Sequence, residues 1–487
     1  MTEKEVLNFI NVLEEDYRVT EWSIFGVNIW PLIRLEIGER LCNSNLKTEC
    51  QYHDGTGIKK LINRLISEIK IFLELYLCDY RKNSVYNGED VVCIVDNDSR
   101  EIKVDDGYYS VSINPIADQL REQGLSVFNF EYVSPGKEIL PRNNKSKIIN
   151  MGVIFEIAKS KICFNVKRNP NLPNYDKVIE LCKQKGLLSD IFHIDNLVIF
   201  LLAAKKYYIK AFKKYRPKLI VISNWRNAKQ MPLTMAAKEL EIPCIEINHG
   251  YYGQDCFTHF KWTNEPKNGY ELRPDYYWCW TKRSSDIMNK EALRGKAIAG
   301  YPPKIFIWGN MLKEKYHDEE CKLKKLLPKN KKIILVTLNN VISRDEYPKW
   351  FLDLVSDTEE EFFWLFRKHH ASTFSGQDVL CNEIECLNNT EWRYSSEWPL
   401  LLLLENVDVH VTYNSSVVIE AAFMGVPSII LSGMFKDRFR EQIESGEAVY
   451  VHNYNEMKMS IKNYSNVAKA NPINYNAVRE IFTIIKA

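Results

Sequence analysis

The sequence predicts an α/β protein, two Rossmann-like domains facing a cleft behind a helical N-terminal region. Three observations carry that expectation. Short β-branched runs ending in polar residues alternate with segments of helical period, first between residues 85 and 303 and again after residue 331. A polar stretch, KEKYHDEECKLKKLLPKNK, separates the two series. The 487 residues, 45% hydrophobic and 26% charged, suffice for two or three domains, each with its own core.

The elements follow in order. Residues 1–84 read as helical, because Val6, Phe9, Ile10 and Leu13 recur at helical spacing. Within them, IKKLINRLISEIKIFLELYL sets Leu61, Ile62, Leu65, Ile66, Ile69, Phe72 and Leu73 on one side, with Lys59, Lys60, Arg64 and Lys70 largely elsewhere. That pattern suits a helix packed on the body of the protein, or an amphipathic helix lying on an anionic bilayer. DVVCIVDND then reads as a strand, PIADQLREQG as a helix and LSVFNFEYV as the next strand. YIKAFKKYRPKLIVISNW, AKQMPLTMAAKELE and IPCIEINHG resume the pattern, so residues 85–303 form one α/β domain with a helical insertion near 171–215. Residues 304–487 form the second, with strands in KKIILVTLNN, EEFFWLFRKHH, VDVHVTYN and VPSIIL and the helix SSVVIEAAFMG between the last two.

Composition narrows the function. A net charge of +2 provides no global field to gather nucleic acid. The 12 cysteines are scattered, with no CxxC, which fits reduced thiols in the cytoplasm better than a disulfide or zinc framework. MTEKEVLNFINVLEEDYR lacks the features of a secretory signal. IFLELYL and PLLLLLENVDVHVTY are too short or too charged to cross a bilayer, so any membrane contact is expected to be peripheral, at the inner face of the cytoplasmic membrane. The chain has no GxxxxGK[ST], no GxGxxG after a strand, no GxSxG and no HExxH, which weighs against P-loop nucleotidases, common NAD enzymes, α/β-hydrolases and zincins. Without a DxD triplet, transfer without a metal or cofactor is the expectation.

Open parallel sheets bind ligands beyond the carboxyl ends of their strands, and three such ends stand out. In VDVHVTYNSSVVIEAAFMGVPSIIL the strand ends at Tyr413, Asn414 can cap the next helix, and Ser415 and Ser416 fall in its first turn, where unpaired N–H groups and the helix dipole favour an anion. Glu420, one turn on, suits a ribose hydroxyl; an ordinary capped helix with a solvated charge fits the same residues. EFFWLFRKHHAS delivers Arg367, Lys368, His369 and His370 to one strand end, a set suited to a diphosphate or phosphodiester, or to a basic surface loop. IPCIEINHGYYGQDCFTHF ends a buried strand at Asn248, His249 and Gly250, followed by Tyr251, Tyr252, Gly253, Asp255 and His259. There His249 and Asp255 offer acid/base chemistry, against the plainer role of a structural histidine. The same rule picks out Asp96, Asp98 and Arg100, then Asn224 and Arg226, then Thr337, Asn339 and Asn340.

In order and spacing, NHGYYG, RKHHAS and YNSSVVIEAAFMGVPSIIL resemble the QHG, K-x-H-P and serine-pair motifs of GT-B glycosyltransferases that build bacterial surface polysaccharide. The group includes capsule and Kdo transferases, polysialyltransferases and CDP-glycerol glycerophosphotransferases. The resemblance spans residues 90–450; Asn248 stands where Gln is common, and His370 where the family often has Pro. EWSIFGVNIWPLIR also resembles the segment preceding the catalytic domains of some capsule and lipopolysaccharide transferases.

The resemblance implies a GT-B fold and metal-independent transfer from a nucleotide-activated sugar, CMP-Kdo or CMP-sialic acid type favoured, to a capsule or lipopolysaccharide glycan, free or lipid-linked. It implies a donor nucleotide in the second domain, near Arg367, Lys368, His369, Ser415, Ser416, Glu420, Thr337 and Asn339. The acceptor would lie in the first domain near Asn224, Arg226, Asn248 and Tyr251, with His249, Asp255 or Asp96 as the base, or a carboxylate as nucleophile if configuration is retained. Glycerol phosphate transfer from CDP-glycerol and a catalytically silent sugar-nucleotide-binding scaffold stay open.

Overall fold

The computed structural model describes residues 1–42, 90–96, 100–104, 107–132, 148–150, 169–188, 194–253, 255–291, 296–309, 313–339, 347–369, 375–433, 436–464 and 476–486. The expected amphipathic helix with Lys59, Lys60, Arg64 and Lys70, and also Asp98, Asn340 and His370, lie outside the described residues. The chain divides into two compact units: Met1–His249 with Gln254–Pro303 and Tyr475–Ala487, and Gly250–Gly253 with Lys304–Asn474.

The first unit begins with α1 (Glu3–Asp16), started by a capping box in which Thr2 and Glu5 satisfy each other's backbone N–H groups. A hairpin of β1 (Ser23–Ile24) and β2 (Val27–Asn28) turns through Phe25 and Gly26, both at positive φ (56° and 79°), as a two-residue turn that follows the strand twist requires. Next comes α2 (Trp30–Cys42). The remaining elements are β3 (Val91–Asp96), β4 (Arg100–Val104), β5 (Gly107–Ser110), α3 (Asn114–Glu122), β6 (Val127–Tyr132), β7 (Ile148–Asn150), α4 (Tyr175–Gln184), α5 (Asp195–Tyr215), β8 (Leu219–Ile222), α6 (Met231–Glu239), β9 (Cys244–Ile247), β10 (Tyr276–Cys279), α7 (Lys282–Glu291) and β11 (Lys296–Ala299).

Seven of these strands form a sheet in the order β11-β10-β9-β8-β3-β6-β7, every pairing parallel. The chain leaves β3 toward β6 and β7, then returns to place β8 on the other side. The strand order therefore reverses between β3 and β8, the place where open sheets form a binding crevice. Strands β8 and β9 are buried at every position, as a sheet covered on both faces requires.

The second unit contains α8 (Pro303–Ile307), from Lys304 onward, then α9 (His317–Leu326), β12 (Lys332–Thr337), α10 (Lys349–Asp357), β13 (Phe362–Arg367), α11 (Ser375–Ile384), β14 (Thr390–Glu391), α12 (Arg393–Glu397), α13 (Leu400–Leu404), β15 (Val409–Thr412), α14 (Val417–Met424), β16 (Ser428–Ile430), α15 (Arg440–Glu444), β17 (Ala448–Tyr450) and α16 (Tyr454–Asn463). Its six parallel strands run β14-β13-β12-β15-β16-β17, reversing between β12 and β15. Ile334, Val336, Phe351, Trp364, Phe366, Val411 and Ile429 build its core. Helix α17 (Asn476–Lys486) rejoins the first unit, packing near α3 and β11 and burying Ala477, Val478 and Ile481.

The parallel α/β architecture expected from the sequence is thus the one observed, twice over. Among the described residues no helix is long and apolar enough to cross a membrane, and no group of His, Cys, Asp and Glu is arranged to hold a metal ion.

Candidate functional site

In the second unit, register brings the expected residues to one end of the sheet. Thr337 pairs with Arg367 on one side and Thr412 on the other, and Thr412 pairs with Ile430. Beyond this line lie Asn339, the Lys368–His369 step and the turn into α14.

These residues divide by what holds them. Thr337 is buried; its hydroxyl meets His410 Nε2 at 2.8 Å, and its carbonyl accepts from Thr412 Oγ1 at 3.0 Å. Arg367 donates to the carbonyls of Ser395 (2.7 Å) and Trp398, while Lys368 donates its backbone N–H to Ser396 Oγ at 3.1 Å and sets its ammonium 4.0 Å from the Trp392 ring centroid. The cations at the end of β13 therefore fasten residues 392–398 to the sheet edge. His369 follows, half-buried, and Asn339 is half-buried after β12.

The start of α14 differs from the expected cap. Ser415, not Asn414, makes the cap contact, its Oγ accepting from Val417 N–H at 3.3 Å, while its own N–H donates to Thr412 Oγ1 at 3.2 Å. Ser416 occupies the cap position but turns its hydroxyl elsewhere, to the N–H of Tyr251 at 3.1 Å. A Cβ on Gly250 would lie 3.2 Å from that same Ser416 Oγ, and one on Gly253 would lie 2.8 Å from Arg438 Cα. Arg438 donates to Tyr251 O at 2.7 Å, and the Tyr251 ring stacks on Phe439 with centroids 5.9 Å apart. The short segment Gly250–Gly253 thus packs within the second unit, where its glycines admit close backbone approach. Glu420 is buried rather than solvated, and Lys304 Nζ lies 2.6 Å from its Oε1.

In the first unit, the ends of β8 and β9 carry the other set. His249 Nδ1 is 3.3 Å from Ser223 O, and its Nε2 is 3.4 Å from Arg226 NH2. The carbonyl can only accept, so Nδ1 carries the hydrogen and Nε2 the lone pair that meets the guanidinium. Desolvation first, and Arg226 second, push the imidazole down to about 4; the ring keeps an exposed edge, so the guanidinium contact is the firmer of the two causes. Asn224 Oδ1 accepts from the N–H of Arg226 at 3.2 Å, shaping that turn. Asn248 is buried, its carbonyl accepting from Trp280 Nε1 at 2.8 Å, and its Oδ1 finds no hydrogen-bond partner among the described residues. Asp255 is buried and bound to Lys261 Nζ at 2.8 Å. Asp96 closes β3, and its side chain lies outside the described part.

Several supporting residues escape sequence reasoning. Glu246, inside β9, accepts the Trp225 N–H at 3.1 Å with one oxygen and faces His259 Nε2 at 2.9 Å with the other, joining the loops after β8 and β9. Desolvation opposes charge on His259, but Glu246 favours it and the imidazole is raised. Glu14 and Arg34, both buried, form an ion pair between α1 and α2. Arg34 also donates to the carbonyls of Phe257 (2.8 Å) and Phe260 (3.0 Å), and Glu14 accepts from Thr263 N–H and hydroxyl at 2.8 and 2.9 Å. The available signal was a charged residue in an apolar frame: Glu246 in IPCIEI, and Arg34 in NIWPLIR.

No protein-family model and no curated protein sequence matches the chain. Solved structures do match in fold. UDP-GlcNAc 2-epimerase from Neisseria meningitidis, bound to UDP-GlcNAc, is similar with a TM-score of 0.51 and 12% identity, covering 82% of this chain and all (100%) of that one. UDP-GlcNAc 2-epimerase from Methanocaldococcus jannaschii is similar with a TM-score of 0.51 and 13% identity, covering 81% and 99%. The chain thus has a GT-B-like α/β fold, as these enzymes do. At such identity the likeness is one of fold.

Proposed function

We propose that the protein is a metal-independent glycosyltransferase that moves a sugar from a nucleotide-activated donor, of the CMP-Kdo or CMP-sialic acid type, to a growing capsule or lipopolysaccharide glycan at the inner face of the cytoplasmic membrane. The observation that carries this reading is the hydrogen bond from Tyr251 N–H to Ser416 Oγ. It joins two of the three motifs through which the sequence resembles surface-polysaccharide transferases, at the start of a helix beyond a parallel sheet. The fold adds support, since one structure sharing it holds UDP-GlcNAc.

In this reading the second unit, Gly250–Gly253 with Lys304–Asn474, holds the donor nucleotide. The first turn of α14 and His369 stabilise charge on the departing phosphate. Glu420, held by Lys304, reads the ribose. Arg367 and Lys368 act by fixing the 392–398 segment beside the nucleotide. Residues 85–303 hold the acceptor near Asn224, Arg226 and Asn248.

Thermal-shift measurements with CMP, CDP, UDP and GDP test the donor site. A shift with a cytidine nucleotide that is lost in Ser416→Ala and His369→Ala is the expected result. No shift with any nucleotide, or the same shift in both variants, removes the assignment. Product analysis with CMP-Kdo, CMP-sialic acid and CDP-glycerol then separates sugar transfer from glycerol phosphate transfer and from a silent binding protein.

A further inference from the structure

The charge of the chain is unevenly placed. Between Asp195 and Glu239 lie ten Lys and Arg residues and no Asp or Glu, whereas the rest of the sequence carries 55 Lys and Arg against 63 Asp and Glu. One stretch therefore turns an otherwise acidic chain to a net charge of +2. Half of its cations, Lys205, Lys206, Lys210, Lys213 and Lys214, stand on α5, whose one acid, Asp195, is at the far end of the helix.

Packing fixes which way they face. Leu201, Ala204, Tyr208, Ala211, Phe212 and Tyr215 are buried. Tyr215 stacks on Phe128 with ring centroids 4.8 Å apart and Phe212 meets Phe130 edge-on at 6.3 Å, which seats this side of α5 on β6. At about 100° per residue, Lys206, Lys210, Lys213 and Lys214 fall within an arc of about 100° on the opposite side of the helix. All four are exposed. Lys205 lies off this row, paired with Glu239 at 2.9 Å and Glu271 at 3.5 Å, so these two acids are engaged away from it.

Four ammonium groups along a convex helix face suit a broad anionic plane, which can meet all of them at once. Lysine is a flexible point charge that follows a spread charge density, whereas recognition of single phosphates favours the arginine fork and single-stranded nucleic acid calls for aromatic platforms. Tyr207, the aromatic beside the row, is half-buried. Clusters of roughly four to eight basic residues on a helix are a footprint of anionic lipid binding. We propose that the lysine face of α5 docks the protein on an anionic phospholipid bilayer. The inference supplies a surface for the membrane location in the transferase reading, and it stands on charge placement alone, with no part in the transfer step.

The test sediments the full chain, without nucleotide, with vesicles of phosphatidylcholine alone and of phosphatidylcholine mixed with phosphatidylglycerol. Wild type is expected to bind the mixed vesicles only and to be released by raised salt. The variant Lys206→Gln, Lys210→Gln, Lys213→Gln, Lys214→Gln should bind about 10²- to 10³-fold more weakly, at roughly fivefold per lysine, and Lys206→Gln with Lys210→Gln alone should lose an intermediate amount. A control with the same change of charge at the exposed Lys315, Lys322, Lys325 and Lys329 should bind as wild type does. Wild-type binding in the α5 variant, an equal loss in the control, or no preference for the anionic vesicles overturns the inference. Tighter binding of wild type to duplex DNA or RNA than to the vesicles, lost in the α5 variant, overturns it in favour of nucleic acid. The nucleotide thermal shift reads the donor site separately, so failure of the docking face and failure of the donor assignment are distinguishable.

Discussion

Tyr251 and Ser416, 165 positions apart, share a hydrogen bond in which the tyrosine N–H donates to the serine Oγ at 3.1 Å. It fixes the turn after His249 to the first turn of α14. Ser416→Ala leaves the Tyr251 N–H without that acceptor, a loss of about 1–3 kcal/mol for a buried donor. Urea denaturation should show the lower midpoint with an unchanged slope; an unaltered midpoint would mean that the contact contributes nothing to stability.

The two glycines of this turn should respond unequally. At Gly250 an alanine Cβ meets a serine hydroxyl at 3.2 Å, which a small rotation relieves; at Gly253 it meets the Arg438 backbone at 2.8 Å, which cannot rotate away. Gly253→Ala is therefore expected to destabilise by about 1–3 kcal/mol, more than Gly250→Ala. Thermal melts of the two variants compare them directly.

Arg34→Met strips the partner from a buried Glu14, and breaking such a pair destabilises by about 3–5 kcal/mol. The double variant Glu14→Gln, Arg34→Met should lose less than the sum of the single changes, because the second removes the stranded charge left by the first. A double-mutant cycle by chemical denaturation reads this, and additivity would contradict it.

Two histidines set opposite pH dependences. Burial lowers His410 to about 3, so the native state stays neutral while the unfolded chain takes up a proton below about 6.5. Stability falls as pH drops from about 6.5 toward 3, by up to roughly 1.4 kcal/mol per unit, and His410→Gln should flatten that slope. His259 is raised, so its contribution is present below about 6.5 and is lost as pH climbs through its folded value. His259→Gln should remove the alkaline part of the loss; urea midpoints against pH test both.

Arg226→Gln removes the guanidinium that disfavours the His249 imidazolium. The imidazole should then titrate at higher pH than in wild type, followed by the ring C–H resonances in NMR. A titration that does not move would mean that the guanidinium is not what holds the imidazole down.

Much of the fold was legible because parallel strands buried on both faces leave a distinct trace, as in LIVI, CIEI, KIILVT and FFWLFR. Their carboxyl ends could be located, and with them the stretches after β8, β9, β13 and β15. Partners were not legible. Nothing local in YNSS says that Ser415 caps the helix while Ser416 reaches Tyr251, or that Glu420 is buried against Lys304. Each pairing joins residues whose separation along the chain carries no periodic signal.

By itself the sequence determined the alternation of strand and helix, the parallel α/β class and the strand ends where polar residues collect, since all of these follow from local hydrophobic period and turn chemistry. The tertiary structure decided which side chains those ends bring together. It returned α17 to the first unit, seated Gly250–Gly253 in the second, and set α2 against Phe257 and Phe260 through Gly38 and Arg34. The reason is physical: burial, hydrogen-bond satisfaction and charge pairing are properties of the assembled chain, and a residue's chemistry depends on neighbours contributed by distant segments.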